Sequence, residues 1–239
     1  MIRQATAEDR AALLDIWCAA FGDSPDYAAF VIDHCLELGT VLFHPRGMSC
    51  MTLFPLTLFS GNKKLLEGFY VYGVVTHPQQ QKMGFASLLL DQARTLAPFL
   101  LLYPATQPLQ EYYKKRGFDT PVRLPAPLIR TATGKEHSGA PVRALYQEYK
   151  KDAEKQEFIF VWPFSMFHYA YQECRFRSGY VLPPHFCYPS EKENNVVMCK
   201  PYAGGGNNDK ALFLQALAHF HDPVPGFITE KSLFYLPLD

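Results

Sequence analysis

Hydrophobic residues recur along the chain with two periods, and each change of period marks an element. Residues 2–5 fit a short strand, after which Thr6 caps a helix that places Leu13, Leu14, Trp17, Cys18 and Phe21 on one face. Ser24-Pro25 opens a second helix with the stripe Tyr27, Phe30, Val31, Cys35 and Leu38, stopped at Gly39. Three strand-like runs follow at about 40–44, 48–59 and 64–76, separated by His44-Pro45-Arg46-Gly47 and Ser60-Gly61-Asn62-Lys63, the pattern of an antiparallel meander. Phe85, Leu88, Leu89, Ala93 and Leu96 then give a one-faced helix ended by Pro98. The unbroken apolar run over 99–103 predicts a strand covered on both faces. A strand–helix–strand crossover of this length makes 64–76 and 99–103 parallel neighbours. A helix at about 108–116 and a strand at about 122–130 complete this part of the chain.

Residues 131–141, TATGKEHSGAP, read as a linker, so the chain divides into 1–130 and 142–239. The second part predicts helices at about 142–154, 164–176 and 208–220, with strands at about 179–188, 194–202 and 232–237. Its aromatic run, from Phe158 through Phe160, Trp162, Phe164, Phe167 and Tyr169 to Tyr171, reads as the seam between the two parts. Gly204-Gly205-Gly206-Asn207-Asn208 lacks phosphate-loop spacing and reads as a loop.

Composition narrows the function. The 239 residues are 48% hydrophobic and 19% charged, enough apolar material for a real core. Lys plus Arg and Asp plus Glu both total 23, so no net field draws nucleic acid or an anionic membrane, and neither is expected as a partner. The first residues lack the apolar stretch of a signal peptide and no window reaches about 18 apolar residues, which predicts a cytoplasmic protein. The six cysteines contain no CxxC pair and are expected to be buried and reduced. His219 and His221 fall at the end of the helix expected there, where the dipole favours them, and no metal is expected.

The chemistry concentrates in VVTHPQQQKMGFA, residues 74–86, where a strand passes through a proline turn into a helix. Beyond the carboxyl end of a parallel strand, the amides of such a loop and the positive end of the helix dipole bind anions. Gly84 allows close approach of a phosphate to the backbone, and Ala86 keeps the first helical turn thin. A pyrophosphate suits the place.

Val75, Pro78 and Gln81-x-x-Gly84-x-Ala86 resemble the acetyl-CoA-binding signature of the GNAT superfamily of N-acetyltransferases. About thirty residues on, Tyr113-Lys114-Lys115-Arg116-Gly117-Phe118 resembles that family's Tyr-x-x-x-Gly-Phe segment, and the order of elements over 2–130 matches as well. The resemblance implies an α/β (α+β) fold: a mixed, mostly antiparallel sheet with one splayed parallel strand pair, flanked by helices. Residues 142–239 would add a smaller α/β half, similar to a partial second GNAT-like unit in a tandem form and walling part of the acceptor cleft. Acetyl-CoA is implied as co-substrate, held by Val74, Val75, Thr76, Gln81, Lys82, Met83, Gly84, Phe85, Ala86, Ser87 and Tyr113. Tyr113 matches the position of the acid that protonates the departing thiolate, and Glu67 the general placement of a base. The residue-level alternatives are an exposed strand-end carboxylate for Glu67, and His77 as either base or polar turn residue. The implied reaction is direct acetyl transfer to the primary amine of a small molecule or peptide. A non-catalytic acyl-CoA-binding or partner-binding module and an aminoacyl-transferring relative are the other readings. The chain departs from the pattern at Gln81-Lys82, often Arg-Gly, and at Tyr103-Pro104-Ala105-Thr106, where the family often has an Asn.

Overall fold

The computed structural model describes residues 1–131, 139–190, 193, 195–204, 213–236 and 238. A short β1 (Arg3–Gln4) leads into α1 (Arg10–Phe21), which buries Leu13, Ile16 and Trp17, and α2 (Pro25–Leu38), which buries Ala28, Val31, Ile32 and Cys35. The spacing is that of a single helical face. Ser24 caps α2, its Oγ accepting from the amide of Tyr27 at 3.3 Å. The meander is β2 (Thr40–His44), β3 (Ser49–Ser60) and β4 (Lys63–Thr76), and α3 (Phe85–Arg94) crosses from β4 to β5 (Phe99–Leu102). The two flanking strands are parallel, as their hydrophobic runs imply.

After α4 (Gln107–Lys114), the single strand expected at 122–130 is two: β6 (Thr120–Pro125) and β7 (Leu128–Thr131), in different sheets. Pro125 and Pro127 interrupt it, since neither can donate to a ladder. The rest comprises α5 (Val142–Ala153), β8 (Phe158–Val161), α6 (Phe164–Phe176), β9 (Tyr180–Leu182), β10 (His185–Pro189), β11 (Val196–Pro201), β12 (Phe213–Phe220), α7 (Gly226–Lys231) and β13 (Ser232–Phe234).

The helix expected at 208–220 is a strand over its described part. Leu, Gln and Ala favour helices, but Ala216, Leu217 and Ala218 are all buried between β5 and β6. A short apolar run covered on both faces cannot be assigned by periodicity alone, and tertiary pairing decides it. The dipole reading of His219 goes with the helix: the residue lies on β12, its Nδ1 2.8 Å from the carbonyl of Gly117. The Gly204–Asn208 loop lies outside the described residues from 205 onward, as does most of the 131–141 linker.

The main sheet of the described residues has nine strands in the order β1-β2-β3-β4-β5-β12-β6-β13-β8, and β8 also pairs with Thr57–Phe59 of β3. That last pairing closes β3 through β8 into a ring. Its interior is aromatic: Tyr70 meets Trp162 edge-on at 5.2 Å, and Phe99 meets Phe160 at 5.1 Å. Four staves, β8, β12, β13 and β6, come from beyond residue 119, so the sheet runs across the 131–141 segment. On the outer face α3 and α4 cover Leu53, Val71, Leu100 and Leu217 with Leu89, Leu90 and Tyr113.

A second sheet, β7-β11-β10-β9, corrects one expectation about the cysteines. Antiparallel pairing sets Cys187 opposite Cys199, with Cα atoms 4.0 Å apart, and the two form a disulfide. Their spacing of 12 residues spans a hairpin, invisible to a search for CxxC. Cys18, Cys35, Cys50 and Cys174 are free, and burial raises the Cys35 thiol pKa to about 12. Among the described residues no helix is long and apolar enough to cross a membrane.

Candidate active site

Strands β4 and β5 are hydrogen-bonded at Phe69–Leu100 and Tyr70–Leu101, after which β4 continues to Thr76 and the two diverge. A cleft of about 920 Å³ occupies the gap, with Val71–Val74 on one side, Leu102–Ala105 on the other and Tyr113 from α4. The divergence has a local cause. Thr52 faces Tyr72 but Cys50 faces Val75, so β4 holds one residue more than β3 across this step. The bulge bends β4 and takes main-chain groups near Gly73 and Val74 out of the ladder. Gly73 has φ +58°, and a Cβ there would lie 2.6 Å from the Trp17 ring. Trp17 is fixed in turn by donating Nε1–H to Asp23 at 2.8 Å.

The loop leaving β4 is pinned from both ends. Ser49 Oγ donates to the Val75 carbonyl at 2.9 Å and lies 2.7 Å from Thr76 Oγ1, while Gln81 Nε2 reaches back to the Thr76 carbonyl at 3.3 Å. His77 Nδ1 accepts from the amide of Gln79, the turn role rather than a place in the cleft. Lys82 (φ +65°) and Gly84 (φ +85°) are both left-handed. For Lys82 that costs about 1 kcal/mol. Met83 is exposed, and the Phe85 ring packs on His44 at 4.7 Å, fixing the start of α3. The first intrahelical bond here is Leu88 N–H to the Gly84 carbonyl, so the amides of Phe85, Ala86 and Ser87 remain for a ligand.

Tyr113 is buried at the cleft, its ring 5.8 Å from that of Phe118, and burial pushes its phenol pKa well above the usual value. It is therefore a protonated hydroxyl at any physiological pH. Tyr112 faces the other way, towards Ser87, at 3.5 Å between hydroxyls. Arg116, to which the sequence assigns no role, lies on the Tyr112 ring at 3.5 Å and donates Nε–H to Ser87 Oγ at 3.0 Å. Its one signal was its place inside the Tyr113–Phe118 motif.

The bulge and Tyr113 are thus brought together at the cleft, the loop follows from β4 beyond the residues that line it, and Glu67 lies apart. Its side chain is 70% exposed, pairs with Lys64 at 2.9 Å and faces Thr57 across the ladder, on the far side of the Phe69–Tyr70 pairing from the cleft. Tyr103, Pro104 and Ala105 line the cleft and Thr106 caps α4, accepting from the Leu109 amide. Residues 142–239 supply Phe176, Arg177, Ser178, Pro189, Ser190 and Leu238 to the opposite wall. Periodicity gives no sign of these, because they lie at the end of α6, at the end of β10 and at position 238, far in sequence from the strands they face.

The acetyltransferase (GNAT) domain family matches residues 1–120. The chain belongs to the GNAT acetyltransferase family. No curated protein matches it. Among solved structures, a GCN5-related N-acetyltransferase from Anabaena variabilis superposes with a TM-score of 0.54 at 14% identity, over 90% of this chain and 53% of that one. Eis1 from Mycobacterium abscessus gives 0.54 at 17%, over 78% and 52%. A conserved protein of unknown function from Enterococcus faecalis gives 0.53 at 13%, over 86% and 56%. At these identities the likeness is one of fold, and the chain spans about half the length of these structures. The GNAT fold here is a mixed α/β one, with both parallel and antiparallel strands.

Proposed function

We propose that the protein transfers an acetyl group from acetyl-CoA to a primary amine by direct attack in a ternary complex. The observation that carries this reading is the splay of β4 from β5, which opens a cleft lined by bulged backbone and a buried phenol, with the loop amides following at the end of β4. CoA fits with its pyrophosphate on the amides of residues 82–87 and its pantetheine along Val74–Thr76, where an extended chain completes a strand edge. The thioester carbonyl then lies by the main-chain groups freed near Gly73 and Val74, which stabilise negative charge on its oxygen. A free alkyl amine has a pKa of about 10 and must lose a proton, while the leaving thiol, at about 8.5, gains from protonation as it departs. Tyr113 supplies that proton. The acceptor, small molecule or peptide, enters along the wall of Phe176, Arg177 and Pro189.

The test is CoA thiol release from acetyl-CoA over a panel of amines: small alkylamines, polyamines, aminoglycosides and peptide N-termini. Calorimetry with acetyl-CoA should give one molecule per chain. Binding without turnover across the panel would leave an acyl-CoA-binding module, and absence of binding would remove the loop assignment.

A further inference from the structure

Beside the cleft, sharing Tyr72 and Leu238 with it, is a second cavity of about 10 Å³, room for a single water. Its lining is polar where a floor would ordinarily be apolar. Glu173 of α6 is 7% exposed. Its Oε1 accepts from the Tyr27 hydroxyl at 3.0 Å and from Arg177 Nη1 at 3.3 Å, and its Oε2 accepts from none of the described residues. Tyr169 stands one turn earlier on the same helix, the spacing that puts two side chains on one patch. Its hydroxyl is buried and makes no hydrogen bond of full geometry within the described residues, Tyr72 being the side chain that comes near enough to moderate its raised pKa. Leaving a buried hydroxyl unsatisfied costs about 1–3 kcal/mol, more than the gain from an ordinary hydrogen bond. A packed core would place phenylalanine there. The two partners of Glu173, Tyr27 and Arg177, are themselves on the wall of the large cleft, so the carboxylate sits directly behind that wall.

We infer that this niche seats one water, held by Tyr169 Oη and Glu173 Oε2, and that Glu173 receives through it the proton shed by the acceptor amine. The role rests on the amine-acetylation reading. As the amine nitrogen bonds to the thioester carbon, it becomes cationic and far more acidic than a free ammonium, so a carboxylate suffices as acceptor. The nitrogen gives its proton to the water, the water gives one of its own to Glu173, the C–S bond breaks, and the thiolate takes a proton separately to leave as CoA-SH. No oxidant or further reactant enters. Glu173 and Tyr169 act here through the water, as positioning residues for proton removal. Residues beyond the linker thus provide what Glu67, paired with Lys64 away from the cleft, does not.

A high-resolution crystal structure of the full chain should show solvent density within hydrogen-bonding distance of both Tyr169 Oη and Glu173 Oε2. A niche without density overturns the proposal. With whichever amine of the panel is turned over, Glu173→Gln should lower kcat about 100-fold and Tyr169→Phe about 10-fold, each leaving the acetyl-CoA Kd unchanged. Tyr169→Phe should lower Tm little, since its hydroxyl loses no hydrogen bond of full geometry, which keeps the test valid should Glu173→Gln fold poorly. Parental kcat in either variant sinks the relay alone. If the parent binds acetyl-CoA but acetylates no amine, the amine reading fails and takes the relay with it.

Discussion

The guanidinium of Arg116 reaches from the end of α4 to the first turn of α3 and donates to Ser87 Oγ at 3.0 Å. The helix that brings Tyr113 to the cleft is thereby clamped to the helix that follows the loop, and a fixed positive charge is set beside the free amides of residues 85–87. Stacking on Tyr112 and a further bond to the Tyr112 carbonyl at 3.0 Å hold the guanidinium in place.

If that charge contributes to holding pyrophosphate, Arg116→Ala should raise the acetyl-CoA Kd about 10-fold, or about 1.4 kcal/mol. Arg116→Lys should recover little, because an ammonium cannot both stack on the ring and span to Ser87. Calorimetry decides between this and a helix strut alone, for which Kd would stay at the parental value while Tm falls.

Gly84 separates binding from stability in the opposite way. Its φ of +85° is the left-handed conformation, yet a Cβ built there meets nothing within 4 Å. Gly84→Ala should therefore cost about 1 kcal/mol of stability through the backbone alone. Gly84→Glu adds a carboxylate where the phosphates would sit and should abolish measurable acetyl-CoA binding with a similar loss of Tm. Parental affinity in Gly84→Glu would remove the loop from the CoA site.

The front of the chain was legible in sequence because its chemistry is local. Spacing alone locates α2, α3 and the parallel pair, and the loop signature lies on the strand–helix junction it requires. The bulge at Gly73 was not legible: it depends on β3 being one residue shorter than β4 over Thr52–Tyr72 and Cys50–Val75, a matter of pairing. The same holds for β12, whose Ala216–Ala218 core becomes a strand only between β5 and β6, and for Cys187 and Cys199, joined by a hairpin register. Glu173 and Tyr169 read as ordinary members of an aromatic helix. Their interest comes from Tyr27, 146 residues away.

Tyr113 should behave as an acid that never ionises in the working range, since burial raises its pKa. Tyr113→Phe should lower kcat about 100-fold while the acetyl-CoA Kd moves by no more than a few-fold. Tyr112→Phe, which loses one contact to Ser87, and Glu67→Gln should leave kcat within about two-fold. Equal rates for parent and Tyr113→Phe, measured where chemistry limits turnover, would assign protonation of the thiolate to solvent.

Stability against acid should show the N-terminal clamp. Asp9 accepts from Arg3 at 2.6 and 2.7 Å and from the Thr6 amide at 2.9 Å, and the Arg3 guanidinium, followed by that amide, holds its carboxyl down to about 2. A lowered folded-state pKa stabilises at and above the unfolded value near 3.8 and is lost as pH falls through about 2. Asp9→Asn should therefore lower stability slightly at pH 7, by no more than about 1 kcal/mol for a surface pair. Its deficit relative to the parent should vanish below pH 2, and a deficit that stays constant over pH 5 to 2 would show that the charge is irrelevant.

The ring makes a final prediction about the front of the chain on its own. Expressed alone, residues 1–130 would keep the loop and motifs proposed to hold CoA, yet lack β12, leaving β5 and β6 without the strand that lies between them. They would also lack β8 and β13, so Tyr70 and Phe99 would lose Trp162, Phe234 and Phe160 from their surroundings. Each buried aromatic side chain contributes about 2–3 kcal/mol when removed from water, and three such losses approach the whole stability of a typical domain. Unpaired strand edges beside an exposed apolar interior favour association over folding. Residues 1–130 should thus be recovered aggregated or unfolded by near-UV circular dichroism, and bind acetyl-CoA only when residues 139–239 are supplied in the same cell. A monomeric, cooperatively melting 1–130 fragment that binds acetyl-CoA with parental affinity would mean that the ring's closure is dispensable to the site.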